Sequence, residues 1–136
     1  MIAFTLSKFA YKAYPQDGAV MINTATYFYP CNSWLNKANI KNSAAHEQLH
    51  FDIAEYHKRL FLKRLSETKS SEDMFAVSTK AIFRDIADQR RIMNAEYDKQ
   101  TNFGLNEQEQ SKWNSKVAAL LSELEKYSIN TITINF

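Results

Sequence analysis

The spacing of apolar positions along this chain changes from about two to about 3.6 and back to about two, and the changes outline its elements. Residues 2–13 and 19–29 are rich in β-branched and aromatic types with partial alternation, and Pro15-Gln16-Asp17-Gly18 lies between them. Proline sets one backbone angle and Gly18 accepts a positive φ, so the two runs read as a hairpin. Pro30-Cys31-Asn32-Ser33 ends the second strand, and Trp34 follows in a polar loop, where it is expected to cap the core.

Helical periodicity then takes over. Asn42 or Ser43 is placed to N-cap a helix running to about Ser66. With His46 at 0° and steps of about 100° per residue, Leu49, Ile53, Tyr56 and Leu60 fall at about 280–340°, and His50, His57 and Phe61 at about 20–60°. Gln48, Asp52, Glu55, Arg59 and Lys63 fill the opposite arc, as on a half-buried helix. Ser71, followed by Glu72 and Asp73, is expected to start a second helix, with Phe75, Thr79, Ile82, Ile86, Met93 and Tyr97 as its buried stripe. It ends near Thr101-Asn102-Phe103-Gly104, with Gly104 as a left-handed C-cap. Asn106 and Glu109 resemble a capping box for a third helix, whose stripe includes Trp113, Val117, Leu121 and Leu124. Residues 129–136 alternate again, so a final strand returns to the sheet.

No repeat, linker or low-complexity segment divides the chain. The reading is one α+β domain over residues 1–136: an N-terminal hairpin packed on three helices, with a short C-terminal strand. Apolar residues at 45% and charged residues at 24% are ordinary for a folded domain. The net charge of +2 comes from interspersed Lys, Arg, Asp and Glu, with no basic run, which speaks against a nucleic-acid partner. No apolar run is long enough to span a membrane. The single Cys31 excludes an internal disulfide and a cysteine-based zinc site. Met1 leads into a strand-like Ile2-Ala3-Phe4-Thr5-Leu6 without a charged leader or cleavage site. The expectation is a cytoplasmic protein or the mature part of an exported one.

The chemistry-bearing stretch is His46-Glu47-Gln48-Leu49-His50, an H-E-x-x-H sequence on the first helix. Residues four apart lie about 40° apart around a helix, so both imidazoles can converge on one cation, with Glu47 beside them. In zinc peptidases this pattern supplies two nitrogen ligands and a carboxylate that takes a proton from metal-bound water as it attacks a carbonyl. The competing reading is two satisfied core histidines on an amphipathic helix.

Two histidines do not close a catalytic zinc site. His57 lies on the same face but about 10 Å along the axis from His50. Glu55, near 180° on the same wheel, points away. The third ligand must come from another element, and the end of the second helix, Glu96-Tyr97-Asp98-Lys99-Gln100-Thr101-Asn102-Phe103-Gly104, is where it is sought.

His46 to Glu55, together with Tyr97-Asp98-x-x-Thr101-x-Phe103-Gly104, resembles a bacterial family of secreted zinc-dependent proteases with H-E-x-x-H and a downstream Y-D-x-x-T-x-H-G. Pro30-x-x-Ser33-Trp34 and Gln110-x-x-Trp113 extend the similarity over about residues 25–125. The resemblance implies a zincin-like fold, a zinc ion, hydrolysis of a peptide or protein substrate, and a location outside the cytoplasm. The chain departs from the pattern at Phe103, where the family has His. The metal then needs Asp98, Glu96 or a further water, or the site is degenerate and the protein is a binding or structural module.

Asp98 is the best remaining ligand, with a hydrogen-bonding partner of a ligand histidine as its plainer role. Tyr97 can place its hydroxyl near the metal to stabilise an oxyanion, or serve as packing. Two His with Asp also suit iron(II), although Glu47 would then lack a role. A closed structural zinc site is the remaining alternative.

Overall fold

A computed structural model describes residues 3–4, 7–29, 34–35 and 40–136. Strand β1 (Ala3–Phe4) pairs antiparallel with β4 (Trp34–Leu35), so the backbone at Trp34 is a short strand rather than the expected loop. Pro30-Cys31-Asn32-Ser33 lies outside the described residues. Strands β2 (Ser7–Gln16) and β3 (Ala19–Phe28) pair over their full length, from Ser7↔Phe28 to Gln16↔Ala19. Only Asp17 and Gly18 remain for the turn. Pro15 and Gln16, expected in the turn, belong to β2, and an edge strand tolerates a proline that lacks an N–H. Gly18 has φ +67° with open space where a Cβ would sit, so backbone geometry alone favours glycine there.

Strand β5 (Thr131–Asn135) pairs antiparallel with β3 through Ala19↔Asn135 to Asn23↔Thr131 and gives the order β2-β3-β5. The fold is therefore α+β: a three-stranded antiparallel sheet, a small second sheet and three helices. Helix α1 (Ile40–Glu67) lies centrally and packs against β2 and β3 as well as against α2 (Phe75–Thr101) and α3 (Glu107–Glu123). Phe9, Val20, Ile22, Phe61, Leu62, Leu65, Ile82 and Ile86 fill the core between sheet and helices. A second cluster of Leu49, Ile53, Tyr97, Trp113 and Val117 joins the three helices.

The starts of α1 and α2 depart from expectation. Helix α1 already begins at Ile40, so Asn42 and Ser43 lie inside its first turn and neither is its cap. Residues 71–74 form a turn, with Met74 N–H donating to Ser71 O at 3.1 Å, and α2 begins at buried Phe75 without a side-chain cap. Asn106 caps α3 as expected, accepting from Glu109 N–H at 3.1 Å, while the Glu109 carboxylate turns forward to Lys112. The polar arc expected on α1 is partly covered. Arg59 donates to Leu121 O, and Lys58, 2% exposed, binds Glu55 at 3.1 Å and Asn130 at 2.9 Å.

His57 is buried on α1, with Nδ1 donating to Ile53 O at 2.7 Å. Burial pushes its pKa down from 6.5 to about 4, and Arg90 pushes in the same direction. The unfolded chain therefore binds a proton between these values that the folded chain refuses, and stability falls as pH drops from 6.5 through 4. The expected loss is about 3 kcal/mol. Denaturant titrations of chelator-treated wild type and His57→Leu at pH 7 and pH 4 check it: the variant should lose less stability by about that amount. Equal losses would show that His57 does not carry this pH dependence.

Candidate metal centre

The helical spacing that brings His46 and His50 to one face also turns their Nε2 atoms to the same point. Both face Asp98 Oδ1 on α2, at 2.9 Å from His46 and 2.8 Å from His50. The two nitrogens and the carboxylate oxygen all lie within 4.8 Å of one another and form a group able to hold a metal ion. Of the residues weighed from the sequence, the structure brings these three together. It leaves Glu96 exposed outside the group, and it sets Glu55 apart on Thr26, Lys58 and Arg59.

The far side of each ring decides which nitrogen carries the proton. The Tyr97 hydroxyl donates to His46 O at 2.8 Å and accepts from Gln110 Nε2 at 2.7 Å. With its amide nitrogen so engaged, and also donating to Asn114, Gln110 turns Oε1 to His46 Nδ1 at 2.9 Å. That nitrogen must carry a hydrogen. Asn94 Oδ1 does the same for His50 Nδ1 at 2.8 Å. In the neutral rings both Nε2 lone pairs then point at a carboxylate oxygen, an arrangement that requires positive charge between them.

Protons or a cation can supply that charge. Burial lowers the pKa of His50, but hydrogen bonding and charge from Asp98, with Asn94 and Glu47, outweigh it and the net shift is upward. Burial raises Asp98, yet hydrogen bonds and charge from the two imidazoles bring it to about 2. Two imidazoles and one carboxylate are also a donor set of catalytic zinc sites. Glu47 distinguishes the two possibilities. It is 9% exposed, and its Oε2 is buried with no hydrogen-bond partner among the described residues. An unpartnered buried carboxylate oxygen is costly, and water held beside a cation would give it a donor. The residues therefore fit a metal.

Tyr97 is fully buried and stacks on His46, with centroids 4.4 Å apart at 22°. It also packs against Trp113 at 5.3 Å. Burial raises its pKa strongly. Its hydroxyl donates to a backbone carbonyl, and its ring braces His46.

The end of α2 explains its own sequence. Asn102, at φ 50° and ψ 52°, is the left-handed cap, a role expected for Gly104. Phe103 follows at φ 55°, 41% exposed, and its N–H donates to Asp98 O at 2.9 Å. Thr101 Oγ1 donates to Tyr97 O and accepts from Gly104 N–H. Gly104, at φ +89°, lies where a Cβ would stand 3.0 Å from both His46 Cβ and Cγ. Its lack of a side chain makes room for the His46 ring.

Sequence reasoning missed Asn94 as a partner of the site and assigned Gln110 no role. Asn94 lies one turn before Asp98 on the same face, and Gln110 one turn before buried Trp113, so helical spacing carried both signals. No protein-family model, curated protein or solved structure matches this chain.

Proposed function

We propose that this chain is a small zincin-like zinc metallopeptidase in which His46, His50 and Asp98 hold the metal and Glu47 is the general base. The observation that carries the reading is the convergence of three ligand atoms beside a buried carboxylate oxygen without a partner. The resemblance of H-E-x-x-H and Y-D-x-x-T-x-F-G to secreted zinc-dependent proteases supports zinc over iron(II), because an iron site would leave Glu47 without a role.

Zinc, when bound, supplies a Lewis acid that polarises the scissile carbonyl and acidifies a water. Glu47 Oε2 takes a proton from the attacking water, whose oxygen bonds to the carbonyl carbon. As the C–N bond breaks, Glu47 returns that proton to the leaving amine, completing hydrolysis to a carboxylic acid and an amine. Gln110 and Asn94 keep both Nε2 lone pairs directed inward, and Tyr97 and Trp113 seal the inner side against solvent. Strand β2 is an edge of its sheet, which offers a place for an extended peptide to pair by strand addition. A location outside the cytoplasm belongs to the same reading.

One observation favours a second reading, a binding module descended from such an enzyme: Phe103 stands where the family pattern has His. The two readings separate on hydrolysis of a fluorogenic peptide library by zinc-loaded protein. Cleavage by wild type that Glu47→Gln abolishes supports the enzyme. No cleavage by well-folded, zinc-loaded wild type supports the module.

A further inference from the structure

A cleft of about 420 Å³ lies between the start of β2 and the middle of α2, away from the metal ligands in sequence. Its walls include Lys8, Arg84, Arg90 and Arg91 around Phe9 and Phe83, with Asp88 as the one carboxylate. That is a local excess of +3, more than the +2 of the whole chain. Arg91 pairs with Asp88. Arg90 Nη1 donates only to the Ser7 carbonyl, at 3.2 Å, and Lys8 and Arg84 have no partner among the described residues. Three cations are thus gathered around one concavity without a carboxylate to neutralise them. Their mutual repulsion is relieved by an anion.

The cleft shares a face of α2 with the metal centre. With Arg90 at 0° and steps of about 100°, Arg91 falls at about 100°, Arg84 at about 120°, Asn94 at about 40° and Asp98 at about 80°. At about 1.5 Å per residue, Arg91 stands about 10 Å and Arg84 about 21 Å along the axis from Asp98. An extended peptide covers about 3.3 Å per residue, so these distances correspond to about three to six residues from the metal. Phe9 and Phe83 give the cleft an apolar floor for the stems of side chains.

We propose that this cleft selects the substrate: peptides carrying Asp or Glu about three to six residues from the scissile bond, held by Lys8, Arg84 and Arg90. The assignment rests on the peptidase reading above, and it names the substrate class of that site.

The test pairs a fluorescein-labelled peptide with acidic residues at those positions against one with lysines there, measuring binding by anisotropy and hydrolysis by zinc-loaded protein. Wild type should prefer the acidic peptide by about tenfold or more in both, with the preference shrinking between low and high salt. The double variant Lys8→Glu/Arg84→Glu should abolish the preference while its melting temperature stays near wild type, since both side chains are exposed and partnerless. If wild type cuts both peptides equally well and the double variant changes nothing, the cleft inference is overturned and the peptidase reading stands. If the acidic peptide binds selectively, loses selectivity in the double variant and is never cut, the cleft stands as an acidic-peptide site and the peptidase reading falls. Displacement of the bound peptide by inorganic phosphate at equal concentration would also overturn it, since the cleft would then recognise any small anion.

Discussion

Glu47→Gln should bind zinc within a few-fold of wild type and hydrolyse peptides more slowly by about 10²–10⁴-fold. The asymmetry follows from where the side chain stands. Glu47 is not one of the three convergent ligand atoms, so an amide in its place leaves His46, His50 and Asp98 as they are. Its buried Oε2 lacks a partner among the described residues, so its lone pairs are open to a proton from water. Glutamine is nearly the same shape but cannot take a proton from water. A variant that loses zinc and activity together would instead make Glu47 a ligand or a structural group. A variant with unchanged hydrolysis would remove it from the mechanism.

The second large effect is steric. Gly104→Ala should destabilise the protein by about 2–5 kcal/mol, combining left-handed backbone strain of about 1–2 kcal/mol with overpacking of about 1–3 kcal/mol. The added Cβ would stand 3.0 Å from His46 Cβ and Cγ, and His46 has little room to yield. Its ring is stacked on Tyr97 and hydrogen-bonded at both nitrogens. Any movement therefore shifts a proposed ligand, and zinc affinity should fall by about 10–100-fold as well. Gly18→Ala is the matched control, because Gly18 also has a positive φ but nothing within 4 Å of the added carbon. It should lose only the backbone part, about 1–2 kcal/mol, with zinc affinity unchanged. Chemical denaturation of both variants with zinc titration reads out the comparison. Equal costs at the two positions would contradict the close packing of Gly104 on His46.

Local patterns were the legible ones. The His46 and His50 pair follows from helix period and motif within five residues, and β3 and β5 follow from alternation. Asp98 was within reach because the tail of α2 resembles a known order of residues, not because any spacing led to it. What stayed hidden depends on contacts between elements. Asn94 and Gln110 are carboxamides whose role exists only once α2 and α3 pack beside α1. Arg59 was placed on the polar arc of α1, yet it donates to Leu121 O on α3. Gly104 was read as a helix stop, whereas Asn102 performs that task and the glycine clears space for a ring 58 residues away. The start of α2 was misplaced for the same reason: buried Phe75, not the Ser71 signal, marks where packing begins.

The most direct test of the metal centre is zinc titration of chelator-stripped wild type beside His46→Ala and Asp98→Ala, followed by calorimetry and thermal melting. Wild type should bind one zinc per chain. At a free zinc concentration about 100-fold above Kd, linkage adds about 2.7 kcal/mol of stability, a rise in melting temperature of about 10 °C. Both variants should bind far more weakly and show little or no rise. Wild type that binds zinc no better than His46→Ala, with a melting temperature indifferent to chelation, would contradict the metal centre and leave the two histidines and Asp98 as a proton-bridged structural cluster.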